Sequence, residues 1–298
     1  MRSGLSATSP VGCNGAVSRR ISYQGEPGSN SDIACRKWFP EWARLPCASF
    51  EDAFAAVQDG HADRAMIPID NSSNGRVADI HHFLPRSGLH IVAEYLLPIH
   101  FQLLAVPGAT RESVRTVHSH VHALGQCRRI IAELGLTPVV SGDTAGSARE
   151  VAESGDPSRA ALATALAGEI HGLQTLAADV EDESHNTTRF VVLAREREIP
   201  PANGEPMVTT FMFRIRNIPG ALYKALGGFA TNMVNMTKLE SYMMDGEFAA
   251  TGFLVDVEAH PDEPGLGRAL EELTYFTDEL NILGVYPAHP YREQTRRG

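Results

Sequence analysis

From Arg19 to Ala194 short strand-like runs alternate with helix-like runs, and the alternation breaks off at Arg195–Pro206. Repeated strand–helix units dictate an α/β fold whose sheets are covered by helices. Ile21–Gln24, Ala65–Ile69, Thr116–Ser119, Thr137–Ser141, Arg159–Ala163 and Arg189–Ala194 read as strands. Helices are expected from near Asp32, from Phe50 to a stop at Gly60, and from Val77 to near Leu84. Others are expected over His120–Leu134, Asp143–Glu153 and Thr164–His171. Ser29, Asn30 and Ser31 can cap the first of them. The β-rich stretches Leu89–Val106 and Leu173–Ala194 read as crossovers between two lobes, which predicts a clamp with a cleft. Ligands on such sheets sit at the carboxyl ends of the strands.

Arg195–Pro206 alternates charge and carries Pro200-Pro201 and Asn203-Gly204-Glu205-Pro206, the composition of a linker. Beyond it the pattern changes. Val208–Ile215, Val234–Met244, Glu247–Val257 and Leu280–Tyr286 read as strands, Pro219–Ala230 and Glu263–Phe276 as helices. Pro219 is expected in a first helical turn, and Asp245-Gly246 as a hairpin turn. The order β-α-β-β-α-β is that of a ferredoxin-like module, expected to dimerise by its edges or helices.

Several function classes recede on charge and composition. The 298 residues carry a net charge of -10. An acidic surface disfavours nucleic acid and anionic membranes as partners, but a cleft can be locally basic on an acidic protein. Cys13, Cys35, Cys47 and Cys127 form no CxxC pair, so they suggest reduced thiols in a cytoplasmic protein, not a zinc site. No hydrophobic run follows Arg19-Arg20, and the apolar run Ile91–Val106 is broken by Glu94, Pro98 and His100 and is too short to span a membrane. His118, His120 and His122 alternate, but His122 falls on a helix and the three are not expected to converge on a metal. GxSxG, HExxH and GxGxxG do not occur, so no metal, nucleotide or flavin cofactor is expected.

Polar clusters do recur at strand ends and helix starts: Gly25–Ser31, Asp70-Asn71-Ser72, Ser119-His120, Asp143-Thr144 and Asn186–Phe190. Capping and turn formation explain each one singly. Five together point to a shared polar cleft, where helix starts suit carboxylates. Thr188-Arg189-Phe190 opens an otherwise apolar strand. An arginine entering a buried strand needs an anion, either a bound ligand or an internal acid such as Asp70. Both readings stay open on the triplet alone.

In this order the clusters resemble the prephenate dehydratase family. The resemblance rests on Met66–Ser72, Ser119-His120 through Gln126-Cys127, Asp143-Thr144-Ala145, and Asn186-Thr187-Thr188-Arg189-Phe190, whose last three residues match the family's Thr-Arg-Phe signature. The second module resembles the ACT regulatory domain, with Pro219-Gly220-Ala221-Leu222 and Leu226 on its GALxxxL loop and Asn235–Ser241 on the following strand. Asp70 stands where the family usually has Glu, and Val121 where it commonly has Pro. Tyr242-Met243 follows Glu240-Ser241 where the family continues Arg-Pro, which bears on the effector response.

The resemblance implies a two-lobed, periplasmic-binding-protein-like catalytic domain over 19–197 with a central cleft. A linker over 198–206 and a ferredoxin-like βαββαβ ACT domain over 207–290 would follow, with a disordered tail over 1–18 and a tail over 291–298. The implied activity is that of a carbon–oxygen lyase of L-phenylalanine biosynthesis. It converts prephenate to phenylpyruvate, losing the ring carboxylate as CO2 and the ring hydroxyl as water, and aromatisation drives the step without cofactor or metal. Arogenate as substrate, or a non-catalytic carboxylate or amino-acid sensor, are the alternatives. Arg189 would bind the pyruvyl carboxylate, Thr188 would donate to the leaving hydroxyl, and Phe190 would pack under the ring. Ser29, Asp70, Asn71, Ser72, Ser119, Gln126 and Thr144 would orient the substrate. L-Phenylalanine would be the effector at Asn217, Gly220, Ala221, Leu222 and Asn235, in a cytoplasmic homodimer or homotetramer.

Overall fold

The computed structural model describes residues 18–77, 80–243 and 250–292. The chain opens with β1 (Arg20–Gln24), α1 (Asn30–Trp38), β2 (Ala43–Cys47), α2 (Phe50–Gln58), β3 (Arg64–Asn71) and β4 (Gly75–Arg76). A short α3 (Ile80–Phe83) and a 3-10 turn at Leu84–Arg86 lead to β5 (His90–Pro98) and β6 (Gln102–Ala105). The second lobe continues with β7 (Thr116–Ser119), α4 (Val121–Gln126), α5 (Arg128–Glu133), β8 (Thr137–Val140), α6 (Thr144–Ser154), β9 (Arg159–Ala163), α7 (Ala165–His171) and β10 (Gln174–Ala177). β11 (Thr187–Ala194) returns the chain to the first lobe.

Two sheets result. One runs β10-β6-β9-β7-β8; in the other β5-β11-β3-β1-β2 lie side by side. All eight residues of β11 are buried. That accounts for its near-continuous apolar run, because a central strand is covered on both faces. Its side chains divide by parity. Phe190 and Val192 join the core shared with the second lobe, and Val191 and Leu193 join the core on the opposite face.

The C-terminal region comprises β12 (Met207–Ile215), α8 (Ala221–Thr231), β13 (Met236–Met243), β14 (Ala250–Val257), α9 (Pro264–Thr274) and β15 (Thr277–Pro287). Its βαββαβ order is consistent with an added ACT-like domain. Phe211, Phe213 and Val255 face α8 and α9, while Val208, Tyr242, Leu254 and Tyr286 pack against the first lobe. The module's sheet extends the first-lobe sheet through one parallel bridge, Gly284 to Ile91. A Cβ at Gly284 would lie 2.6 Å from that of Ile91 and overlap its carbonyl, so only glycine permits the approach.

Several sequence expectations need correction. β2 carries no strand signal in the sequence; Ala-Arg-Leu-Pro-Cys is a sheet-edge strand with little burial, where Pro46 costs no ladder bond. The expected helix over His120–Leu134 is two helices broken at Cys127. The Asp182 carboxylate accepts from Arg128 N and Arg129 N, at 2.9 and 3.0 Å, and so starts the second one. Pro219 precedes α8, whose N-cap is Gly220 at φ 76°. The Asp245-Gly246 turn lies outside the described residues, as do residues 1–17 of the N-terminal tail and 293–298 of the C-terminal one. Among the described residues no helix is long and apolar enough to cross a membrane.

Candidate active site

A cavity of about 430 Å³ opens between the two lobes, within the size range of small-molecule sites. The starts of three helices line it: Ser29 to Ser31 at α1, His120, His122 and Ala123 at α4, and Asp143-Thr144 at α6. Ser29 and Asp143 are N-caps, their side chains accepting from Asp32 N and Gly146 N. The remaining helix-start N–H groups and the positive dipole ends suit negative charge. Apolar residues, Phe50, Pro68, Ile99, Phe101 and Phe190 among them, make another part of the wall.

At the floor, side-chain amides order one hydroxyl. Asn71 Oδ1 accepts the backbone N–H groups of Ser73 and Asn74, at 3.0 and 2.9 Å. That fixes which way the amide points. Its Nδ2 therefore donates to Asn186 Oδ1 at 2.8 Å and to Thr188 Oγ1 at 3.0 Å. Asn186 in turn donates to Gln126 Oε1 at 3.0 Å. Because Thr188 Oγ1 already accepts from Asn71, its own proton is available to a ligand. Thr188 is 8% exposed and lines the cavity.

Ser29, Asn71, Gln126, Thr144, Thr188 and Phe190 thus meet in one place. Arg189 does not. Successive side chains on a strand take opposite faces, and its guanidinium lies on the face turned to the C-terminal module. Nε donates to Glu94 at 2.8 Å, Nη1 to Asp256 at 2.5 Å and to Asp70 at 3.2 Å, and Nη2 to the Tyr286 hydroxyl at 2.8 Å. The open choice between a bound ligand and an internal acid resolves to internal acids, and the expected role of Arg189 as carboxylate binder is corrected. Asp70 belongs to the same cluster, pairing also with Lys238. Ser72 Oγ is turned to His185 O, and the buried Ser119 Oγ to Leu162 O, so neither reaches the cavity.

Burial would raise the carboxyls of Glu94 and Asp256, but the arginines outweigh it. Arg292 and Arg189 hold Glu94 below the usual carboxylate range, and Arg189 holds Asp256 there. Burial opposes the charge on Arg189, but Asp256, Tyr286, Glu94 and Asp70 around it outweigh that and hold its pKa well above the ordinary value.

Sequence reasoning missed Arg76, the one guanidinium lining the cavity among the described residues. Its signal was its place one residue beyond the Asn71–Gly75 turn. Of the three alternating histidines, His120 and His122 do converge, their rings edge to face at 4.9 Å, with both lining the cavity. Burial and the neighbouring His122 lower the His120 pKa below 6.5. The expected effector residues lie in the module: Asn217 before α8, Gly220 to Leu222 at its start, and Asn235 donating to Glu258 at 2.6 Å.

The profile of the family described as Prephenate dehydratase matches residues 21–198. A Komagataeibacter europaeus protein named bifunctional N-acyl-homoserine lactone acylase/prephenate dehydratase is 52% identical over 93% of this chain and 98% of its own. Arogenate dehydratase/prephenate dehydratase 1 of Arabidopsis thaliana is 38% identical, over 95% of this chain and 76% of its own. The crystal structure of prephenate dehydratase in complex with L-Phe from Arthrobacter aurescens superimposes with a TM-score of 0.82 at 29% identity, covering 93% of this chain and 97% of that one. With the matched segment spanning the cavity and all of its lining, this chain belongs to the prephenate dehydratase family.

Proposed function

We propose that the chain is a prephenate dehydratase, converting prephenate to phenylpyruvate with loss of CO2 and water. The observation that carries this is the Asn71–Thr188 pair: a buried hydroxyl whose lone pair is occupied and whose proton is free, set in a cavity ringed by helix starts. Thr188 donates its hydroxyl proton to the departing ring hydroxyl, which leaves as water as the C–O bond breaks, and the threonine oxygen regains a proton from solvent. Arg76 and the starts of α1 and α6 hold the pyruvyl carboxylate of the dianion. The carboxylate that leaves as CO2 lies against the apolar wall of Phe101, Ile99 and Phe190, where its dispersing charge is favoured over the localised one. The two lobes act as a periplasmic-binding-protein-like clamp. L-Phenylalanine is the effector, taken up near Gly220 to Leu222 in a homodimer or homotetramer.

A second reading, hydrolysis of an N-acyl-homoserine lactone amide, draws on the name of the 52% identical relative. It is favoured by His120, an imidazole in the cavity whose lowered pKa leaves it neutral, and basic, at pH 7. One experiment separates the readings. Purified protein is incubated with prephenate, with arogenate, and with an N-acyl-homoserine lactone, and products are identified by mass. Phenylpyruvate from prephenate supports the proposal. Phenylalanine from arogenate alone shifts the substrate, a free fatty acid supports the acylase, and no product from any supports a sensor.

A further inference from the structure

Along β13 the side chains at Lys238, Glu240 and Tyr242 turn towards the first lobe, and their neighbours at 237, 239, 241 and 243 are exposed. Lys238 pairs with the Asp70 carboxylate and lies 3.4 Å from Glu240. Tyr242 is 4% exposed and donates its hydroxyl to Glu240 Oε2 at 2.6 Å. The Arg76 guanidinium carbon sits 5.8 Å from the centroid of its ring. Asp70 and Arg76 face each other across the β3–β4 hairpin, whose turn carries Asn71 to Thr188. One strand of the C-terminal module therefore grips both ends of the turn that furnishes the cavity.

An exposed arginine samples many rotamers, and ordering it costs free energy at the moment of binding. A cation stacked on an aromatic face is already ordered. The phenol beside it stays neutral, since burial and its hydrogen bond to Glu240 raise its pKa well above the usual range, against the charge of Arg76, which also hydrogen-bonds the hydroxyl.

We propose that Tyr242 is a positioning residue of the cavity: its ring presents the Arg76 guanidinium to a substrate carboxylate, so that the C-terminal module completes anion binding in the catalytic domain. The inference rests on the dehydratase reading only in taking that carboxylate to be prephenate's.

Tyr242 is also a core residue, so the test separates packing from presentation. Tyr242→Leu keeps an apolar side chain without an aromatic face, and Tyr242→Phe keeps the face without the hydroxyl. Steady-state kinetics with prephenate are paired with calorimetric binding of phenylpyruvate as the carboxylate probe. For Tyr242→Leu, KM and the probe's Kd should rise about 3- to 30-fold with kcat within about 2-fold. Tyr242→Phe keeps the face but loses the hydroxyl's contact to Arg76, and should fall between wild type and Tyr242→Leu. Arg76→Ala should raise KM and Kd by at least as much, and adding Tyr242→Leu to it should change nothing more. Unchanged KM and Kd in Tyr242→Leu, a loss confined to kcat, or additive effects in the double variant would overturn the proposal. If the wild type turns over neither prephenate nor arogenate, the dehydratase reading fails. Probe binding then still decides the inference, with absence of binding to wild type counting against it.

Discussion

Side chains on a strand alternate between its two faces, and Thr188 and Arg189 are divided by that rule into a cleft residue and a cluster residue. The guanidinium of Arg189 has four partners within hydrogen-bond range, three of them carboxylates, and is 7% exposed as a residue. Removing one member of a buried ionic cluster leaves the others uncompensated. Arg189→Ala should therefore cost about 3–5 kcal/mol of stability, read from urea unfolding. A midpoint within error of wild type would refute the structural assignment. This division was legible in advance, because three consecutive strand residues cannot all face one ligand. Glu94 offered a second signal. It interrupts an apolar run, and an acid in a buried strand needs a cation as much as Arg189 needs an anion. Arg76 was harder to see, since its place just beyond the Asn71–Gly75 turn is its one signal and is shared by many ordinary exposed arginines.

At the scale of elements, strands and helices with strong local signals formed where their residues demanded. Ser29, Ser49, Asp143 and Thr164 all cap the helices their positions suggested. What local pattern could not reveal came from distant chain. Asp182 ends one helix and starts the next at Cys127, from more than fifty residues away. Among the described residues β2 pairs only with β1, and so it carries little hydrophobic pattern of its own. Gly284 looks like any strand glycine until Ile91 is placed against it. Gly284→Ala should separate β15 from β5 and loosen the module without unfolding the lobes. Limited proteolysis should then cut first within the linker near Pro200-Pro201. Wild-type cleavage kinetics would show that the bridge is dispensable.

For the whole molecule, the buried cluster joins the strand that carries Thr188 to the module, through Asp256 on β14, Tyr286 on β15 and Arg292 beyond it. Glu94 and Asp256 titrate below their ordinary values in the folded protein. The unfolded chain therefore takes up protons first as pH falls, and the stability these groups supply is full above about pH 4.5 and lost below it. Tm should stay nearly level from pH 7 to 5 and fall below pH 4.5, more steeply in wild type than in Arg189→Ala, where the cation that lowers both carboxyls is gone. Equal slopes would contradict the linkage. Net charge, -10 over the whole chain, bears on none of this. The anion site proposed for Arg76, the helix starts and the amides is compatible with an acidic surface.

Central to the account is that Thr188, ordered by Asn71, supplies the proton that takes the ring hydroxyl away. The most direct measurement is kcat for prephenate in Thr188→Ala, with Tm measured on the same preparation. The account predicts a fall of about 10²-fold or more in kcat with KM within a few fold, and Tm near that of wild type. Near-native turnover in a folded Thr188→Ala protein would contradict it.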